Sequence, residues 1–480
     1  MLSMTRLELS SSCEPYLKSI INLGEVELQR IITDLPQELS QLANSEERDL
    51  RLLTRISERS ARIGVVGLGY VGLPLAIGWA CAGFLVTGID IDPLRVDMCL
   101  KSKSWIANVP SDDLSALVHE GQLTATTDTS VFTELDVITI CVPTPLNEAK
   151  QPDIRAILKV VDAIAASLHP GQLIVLESTT YPGTTDECIL PLLQQSGLKI
   201  GEEFFLGYSP ERIDPGNTHY GLRNTPKVIA GITSCCIQLT KALYETIVDT
   251  VVPVSSTRTA ELVKLFENTF RAVNIGLVNE LAMMANLLSI DVWEVISAAG
   301  TKPYGFTPFY PGPGIGGHCI PIDPHYLAWK LRTLNYNSRL IEAACEINEQ
   351  MPRYVVERIR GVLNDTGKCL DASRVLVLGI AYKRDVDDLR ESPAIEIIEL
   401  LREHKAEVDY VDPYIPIITL KEEVLTAVTL DEDRVRGADC VVILTDHSVF
   451  DYVAIVRLAS LVVDTRNATA GIMEPHIMRL

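Results

Sequence analysis

Basic residues are the scarce class: 42 Lys and Arg stand against 63 Asp and Glu, a formal net charge of −21. That deficit argues against a nucleic-acid or anionic-membrane surface, which needs a positive field. Any anionic ligand must then be met by local cations and helix N-termini. Long apolar runs are missing too. No stretch approaches about 18 residues, so no membrane span is expected. Glu14 and Pro15 stand where a secretory leader would have its apolar core. The eleven cysteines are scattered, with no CxxC pair and no Cys/His cluster at metal spacing. Adjacent Cys235 and Cys236 suit neither a simple disulfide nor a zinc site. Free thiols in a reducing, cytoplasmic setting are expected, and no metal.

What the sequence does have is a 480-residue chain, 47% hydrophobic and 22% charged, ordinary for a folded protein and too long for one core. Residues 1–58 form an appended segment. Leu17, Ile20, Ile21, Leu28, Ile31, Ile32 and Leu35 recur at helical spacing before Pro36, and a charged helix follows from Glu46 to Glu58. A helical extension packed on the body or on another subunit is expected there.

From Ala61 the pattern becomes strand–turn–helix–strand. Ala61–Val66 is a short apolar strand that runs into Gly67, Gly69 and Gly72, then a helix to about Ala82 and a second strand, Phe84–Ile89, ending in Asp90. In such a dinucleotide-binding unit Gly67 makes the turn, Gly69 lets a pyrophosphate approach, and Gly72 lets helix and strand pack. Asp90 lies 23 residues after Gly67, where a carboxylate accepts both ribose hydroxyls and favours NAD over NADP. Arg95 is placed to reach the adenosine side.

The alternation continues with strands at Asp136–Cys141, Gln172–Leu176, Glu203–Tyr208 and Lys227–Gly231. Polar residues just beyond the carboxyl ends of parallel strands face the ligand crevice, which marks Ser178, Thr179 and Glu211. Ordinary helix capping by Ser and Thr is the competing explanation. A proline-free helix of about 30 residues, some 45 Å long, is predicted from Thr259 to Ile290. It puts Lys264, Asn268 and Arg271 on one face, solvated unless another element covers it. Further helices are predicted at Val292–Ala299, Tyr326–Asn335 and Ile341–Leu363. A second αβ unit follows, with strands at Val375–Gly379, Glu407–Val411, Cys440–Leu444 and Leu461–Val463. It lacks GxGxxG but offers Lys383, Arg390 and Arg466 at strand ends for a second anionic nucleotide. Salt bridges within the Asp385–Glu391 run compete for Arg390. The fold class expected is α/β: two Rossmann-like, doubly wound parallel sheets joined by a long central helix. The boundaries expected are 1–58, 59–254, 255–365 and 366–480.

Between these units lies Gly312–Pro324, with four glycines in the first six residues and a single thiol, Cys319. Glycines let backbone amides approach a ligand, a thiol is a nucleophile, and Asp323 supplies a carboxylate held in extended geometry by Pro324. A covalent catalytic site fits, and so does a Gly/Pro surface loop with an inert cysteine.

Over residues 61 to about 475 the chain resembles the UDP-glucose/GDP-mannose dehydrogenase family. GLGYVGLP, VPTPL, SPER, LVKLFENTF, GPGIGGHCIPIDP, AYK…DDLRESPA and DTRN occur in the family's order. STTYPGTT, SPERIDPG and TKPYGFTPFYPGPG resemble the branch acting on UDP-N-acetylhexosamines. The UDP-glucose branch has a lysine where this chain has Ile322 and a glutamate where it has Pro215. The resemblance implies four-electron oxidation of a sugar C6 alcohol to a carboxylate with two NAD. UDP-GlcNAc leads as substrate, and UDP-ManNAc, UDP-GalNAc and UDP-glucose are the alternatives. It implies Cys319 as nucleophile, Lys264 and Asn268 as oxyanion donors, Asp323 and Thr179 around the hydrolytic water, and Glu211 beside the sugar. Gly67, Gly69, Tyr70, Val71, Gly72, Asp90, Arg95, Thr144 and Arg390 would bind NAD. Tyr310, Gly312, Gly314, Gly316, Tyr382, Lys383 and Arg466 would bind the UDP-sugar. A homodimer or higher homo-oligomer is expected. A two-electron hydroxyacid or polyol dehydrogenase would need neither Cys319 nor the second nucleotide unit. A sensor that had lost turnover would not be expected to keep Cys319, Lys264, Asn268 and Asp323 together.

Overall fold

The computed structural model describes residues 50–480 apart from 107, 108, 215, 216, 218 and 422. The helical spacing between Leu17 and Leu35 lies outside the described residues. Eight strands form the first sheet: β1 (Arg62–Val66), β2 (Leu85–Ile89), β3 (Leu123–Thr126), β4 (Val137–Ile140), β5 (Gln172–Leu176), β6 (Phe204–Tyr208), β7 (Lys227–Gly231) and β8 (Val251–Pro253). Their order is β3-β2-β1-β4-β5-β6-β7-β8. All neighbours are parallel except β6 and β7, which run antiparallel with Tyr208 opposite Ala230.

The central strands are mostly apolar and wholly buried because both faces are covered. Successive side chains point to opposite faces, so Leu173 and Val175 of β5 join one core and Ile174 and Leu176 the other. On the first face lies helix α1 (Gly72–Cys81), which buries Leu73, Ala76 and Trp79 against Val65. Helix α2 (Arg155–Ser167) covers the second with Ile157, Val161 and Ile164.

A 31-residue helix, α3 (Thr257–Leu287), leaves this sheet. It starts two residues earlier than the apolar pattern suggests because the Ser256 hydroxyl caps the amide of Thr259. It ends before Ser289, whose φ of 57° breaks the helix. Helix α4 (Val292–Gly300) follows, then the glycine-rich loop, α5 (Asp323–Thr333) and the 27-residue α6 (Arg339–Asp365). Gly276 lets α3 and α6 approach closely, since a Cβ there would sit 3.1 Å from the Ala344 backbone. Beside this crossing, the Asn279 amide donates to Asn348, and Asn348 donates to the Ala272 carbonyl.

The second sheet contains β9 (Arg374–Leu378), β10 (Glu407–Val411), β13 (Cys440–Ile443), β14 (Val462–Asp464) and β15 (Ile477–Arg479), all parallel, in the order β10-β9-β13-β14-β15. Helix α7 (Pro393–Glu403) follows β9, and β11 (Ile417–Leu420) and β12 (Glu423–Thr426) form a separate hairpin. The architecture is the α/β arrangement expected from the sequence. Short β3, β8, β15 and the hairpin were not anticipated; Thr124 and Thr126, or exposed Val252, blur their apolar pattern. Among the described residues no helix is long and apolar enough to cross a membrane.

Gly72 is the tightest point of the first unit: a Cβ would lie 1.8 Å from the Gly67 carbonyl oxygen, a backbone atom that cannot swing away. Overpacking of this kind costs about 1–3 kcal/mol or more. Gly72→Ala is therefore expected to lower Tm by at least about 3 °C. Gly69→Ala, where a Cβ meets nothing within 4 Å, should leave Tm in place. Equal losses in a thermal melt would refute this reading of the turn.

Candidate active site

Gly67 turns β1 into α1 with φ of 92°, and a Cβ there would reach 2.6 Å from the Cys141 carbonyl. Gly69 faces open space, the one side of the turn on which a pyrophosphate can settle. Asp90, buried beyond the end of β2, braces the turn by accepting the Leu68 amide at 2.7 Å and the Asp92 amide at 2.9 Å. Arg95 lies beside it, 3.4 Å away. The residues present thus fit NAD, with the turn for its pyrophosphate and Asp90 for its ribose. Val71 is the residue at the N-terminal cap of α1. The Thr144 carbonyl accepts the Tyr326 hydroxyl at 3.0 Å, which ties the loop after β4 to α5.

Arg390 does two things at once. Its guanidinium grips Asp388 through Nε at 3.0 Å and Nη2 at 2.7 Å, and it lies over the Tyr70 ring at 4.6 Å. The salt bridge that competes for Arg390 in the sequence is therefore real, yet the same side chain spans from the second unit to the glycine turn of the first.

The glycines of the central loop have a different reason from the one the sequence suggested. A Cβ on Gly312 would meet the Arg466 guanidinium at 2.7 Å, one on Gly314 would meet Pro393 at 2.9 Å, and one on Gly316 would meet Tyr382 at 2.6 Å. The loop is pressed against the second αβ unit, and side chains of this protein fill that space. Its amides are also engaged: Gly312 donates to the Asn279 side chain at 2.9 Å and Gly317 to the Arg390 carbonyl at 2.8 Å.

This clamping delivers Cys319 and Asp323. Asp323 is not extended, contrary to the expectation from Pro324. It is the first residue of α5. Proline is tolerated in a first turn, where its missing N–H would have no partner anyway. The Cys319 carbonyl accepts the amides of Ile322 at 3.1 Å and Asp323 at 2.8 Å, which winds the chain into helix directly behind the thiol. Lys264 and Asn268, one turn apart on α3, are both buried, and Asn268 Nδ2 donates to Asp323 Oδ2 at 2.5 Å. Arg271, further along the same face, is exposed and stays outside this cluster.

The electrostatics follow from burial. Burial pushes the Cys319 thiol above its ordinary range, the Lys264 ammonium pulls it down, and Asp323 pushes it up, with a net rise. Burial also lifts Asp323 to about 6, against the pull of Lys264 and the Asn268 hydrogen bond. Burial disfavours the charged form of Lys264, but Cys319, Asp323 and Glu211 outweigh it, so its pKa rises and it stays protonated.

Glu211, beyond the end of β6, is held by the amides of Arg212 at 2.6 Å and Ile213 at 2.5 Å. Below it lies a part of the site that the sequence reading missed. Lys227 Nζ donates to Glu211 at 3.3 Å and to Glu177 at 2.8 Å, and the Tyr244 hydroxyl donates to the other Glu177 oxygen. The available signal was a charged residue at the edge of an all-apolar strand, Lys-Val-Ile-Ala-Gly. Ser178 serves the backbone, donating to the Val142 carbonyl at 2.8 Å. Thr179 is partly buried beside it, and the hydrogen bond that Asp323 receives comes from Asn268.

Of the expected sugar-nucleotide residues, Arg466 lies against Gly312 with Nε donating to the Leu444 carbonyl at 2.9 Å. Lys383 reaches across to Asp214 of the first unit at 3.0 Å. Tyr382 backs the glycine loop, whereas Tyr310 is exposed and stacks on Trp293 of α4 at 6.1 Å. A cleft of about 1060 Å³ borders the same loop, with Ile315, Pro321, His325 and Arg353 in its wall; Cys319 is not part of that wall.

Because the resting thiol is held above its ordinary pKa, labelling of Cys319 by iodoacetamide is expected to accelerate about tenfold per unit between about pH 7 and 9. Lys264→Met should slow it further. Peptide mass spectrometry of the Cys319 fragment reads the rate, and a plateau below about pH 8 would contradict this account.

The geometry agrees with what the chain is similar to. Residues 61–248, 258–350 and 376–471 match in turn the NAD binding, central and UDP binding domains of the UDP-glucose/GDP-mannose dehydrogenase family. The chain is 37% identical over 359 residues to a UDP-N-acetyl-D-glucosamine 6-dehydrogenase of Pseudomonas aeruginosa, covering 74% of this chain and 84% of that one. It is 37% identical over 421 residues to a UDP-N-acetyl-D-mannosamine dehydrogenase of Methanocaldococcus jannaschii, covering 85% and 92%. A solved UDP-D-ManNAc dehydrogenase from Pyrococcus horikoshii superposes with a TM-score of 0.78 at 33% identity, over 87% of this chain and 98% of that one. Three consecutive domain matches and relatives of nearly full length make the chain a member of the UDP-glucose/GDP-mannose dehydrogenase family, an NAD-dependent nucleotide-sugar dehydrogenase.

Proposed function

We propose that this enzyme oxidises the C6 hydroxyl of a UDP-N-acetylhexosamine, UDP-N-acetylglucosamine first, to the uronic acid. The observation that carries the reading is the cluster of half-buried Cys319 with buried Lys264, Asn268 and Asp323, assembled from a loop and two helices far apart in sequence. Residues 59–254 would hold NAD, 255–365 would carry the thiol and its donors, and 366–480 would hold the UDP moiety through Tyr382, Lys383 and Arg466. The sugar assignment leans on Ile322 and Pro215, which replace a lysine and a glutamate of the UDP-glucose branch, and on relatives named for N-acetylhexosamine substrates. The mannosamine relatives make UDP-N-acetylmannosamine the second candidate.

Alcohol, water and two oxidised cofactors become carboxylate, two reduced cofactors and three protons. NAD, when bound, supplies the acceptor for the hydride that leaves C6 in each of two rounds. The protein must keep the aldehyde from escaping between them. The Cys319 sulfur adds to the aldehyde carbon to form a thiohemiacetal, whose oxidation leaves a thioester. Lys264, protonated, and Asn268 donate to the oxygen that carries negative charge at each addition. Water then attacks the thioester carbon, the C–S bond breaks, and the thiolate leaves. Asp323, ionised above about pH 6, accepts a proton from that water. Lys264 is a donor in this scheme, since its neighbours hold it charged.

We further propose that α3 pairs with a second copy. Phe266, Phe270, Leu277 and Leu287 are exposed along it. An exposed apolar stripe of this extent marks an interface.

Two NADH per sugar are expected from UDP-N-acetylglucosamine, with Cys319→Ser abolishing net acid formation while NAD still raises Tm. A ratio of one, or acid formation by the serine variant, would sink the covalent scheme. Preference for UDP-glucose by more than about tenfold in kcat/KM would overturn the substrate branch. Light scattering should give about twice 52.9 kDa; a monomer in dilute buffer would remove the pairing proposal.

A further inference from the structure

The Lys227 ammonium is among the most deeply buried charges of the first unit, 4% exposed, and opens a strand whose other residues are apolar. Its position follows from the single antiparallel step in the sheet. Tyr208 of β6 faces Ala230 of β7, so three residues onward on one strand and three back on the other put Glu211 opposite Lys227. A parallel β7 would have carried its first residue to the opposite edge. The reversal brings the lysine to the ligand side of the sheet, under the residue expected beside the sugar.

There it meets two carboxylates. Glu177 Oε2 lies 2.8 Å away and Glu211 Oε2 3.3 Å, and the Tyr244 ring packs at 5.4 Å. The groups that face Glu211 alternate in charge: Glu177 from the end of β5, Lys227 from β7, then Lys264 from α3 and Asp323 from α5. Cys141 from the end of β4, Cys319 from the glycine loop and the Tyr244 hydroxyl complete its surroundings, while Glu267 of α3 is taken by Arg212. Cations between acids are what lets several charges share a dry interior.

We propose that Lys227 is a positioning residue for the sugar oxidation: from the floor of the cleft it holds Glu211 as an aimed carboxylate, and Glu211 in turn supports the Lys264 ammonium above Cys319. The inference rests on the function proposed for this site, in which Glu211 lies beside the sugar. The simpler alternative is that Lys227 exists only to neutralise Glu177.

The double variant Lys227→Met/Glu177→Gln separates the two. It removes both members of the lower pair, so neither is left buried without a partner; burial already lifts Glu177 to about 7, so its replacement by glutamine is a small change of charge at neutral pH. Removing a whole buried pair is often tolerated where removing one partner is not. Its Tm is expected to exceed that of Lys227→Met alone. Without its cation Glu211 protonates at higher pH. Asp323, at about 6, sets the acid limb of kcat/KM in the wild-type enzyme, and that limb is therefore expected to steepen as Glu211 titrates upward toward it, with kcat at neutral pH down at least about tenfold. The shift of Tm by NAD should be unchanged. Should the methionine variant not fold, Lys227→Gln/Glu177→Gln keeps an amide donor and carries the same readings. A folded double variant with wild-type kcat and an unchanged acid limb would overturn the proposal. Absence of turnover in the wild-type enzyme would instead overturn the oxidation reading itself.

Discussion

The charge on which the rest of the site depends is the Lys264 ammonium, sunk into the third turn of α3, the longest helix among the described residues. A buried charge is costly unless paired. Here the partners are the groups to which the chemistry is assigned by proposal: the thiol of Cys319, the carboxylate of Asp323, and Glu211 from the sheet. None of the four would be chemically the same alone. Burial would hold the thiol protonated, and it already lifts Asp323 to about 6. The Lys264 ammonium pulls both groups toward their anionic forms, against a burial that still leaves the Cys319 thiol above its ordinary range and Asp323 at about 6.

Bringing these groups together requires three units to close on one loop, and the contacts that do so are few and specific. Asn279 of α3 holds the start of the loop, Cys319's own carbonyl starts α5, and Pro393 and Tyr382 press on the glycines from the second sheet's unit. Arg390 on Tyr70 and Lys383 with Asp214 join the second unit to the first across the cleft. These last two pairs are partly exposed, and such contacts are individually weak. They orient the units, while α6 buries Met351, Val355, Val356 and Ile359 in the second unit's core and crosses α3 closely at Gly276.

The two sheets repeat one device. At the end of β2, Asp90 accepts the amide of Leu68 just after β1; at the end of β10, Asp412 accepts the amide of Ile380 just after β9. The difference lies in what surrounds them. Asp412 is saturated by four backbone amides and by His447, whose Nδ1 accepts the Asp385 amide, so that the proton sits on Nε2 and points at Asp412. Asp90, also buried, accepts two amides and lies 3.4 Å from Arg95. The same turn is thus braced by fewer of the protein's own groups in the first unit than in the second.

The glycine turn, the acid after β2 and the alternation of strands and helices were legible because each is written in neighbouring residues: positive φ, close helix–strand approach and apolar periodicity are local demands. The thiol and its family motif were legible for the same reason. Lys227 and Glu177 were not, because their pairing exists only after β7 reverses direction. Nor was the winding of Asp323 into α5, since a proline reads as extended until the preceding carbonyl is placed to accept two amides. The glycines of the central loop could be counted but not explained, for what crowds them arrives from residues 382 to 466. Sequence alone determined which groups the chain owns and the local turns that present them. Tertiary structure decided which charges share a dry interior, because only packing removes the water that would otherwise leave each with its ordinary pKa.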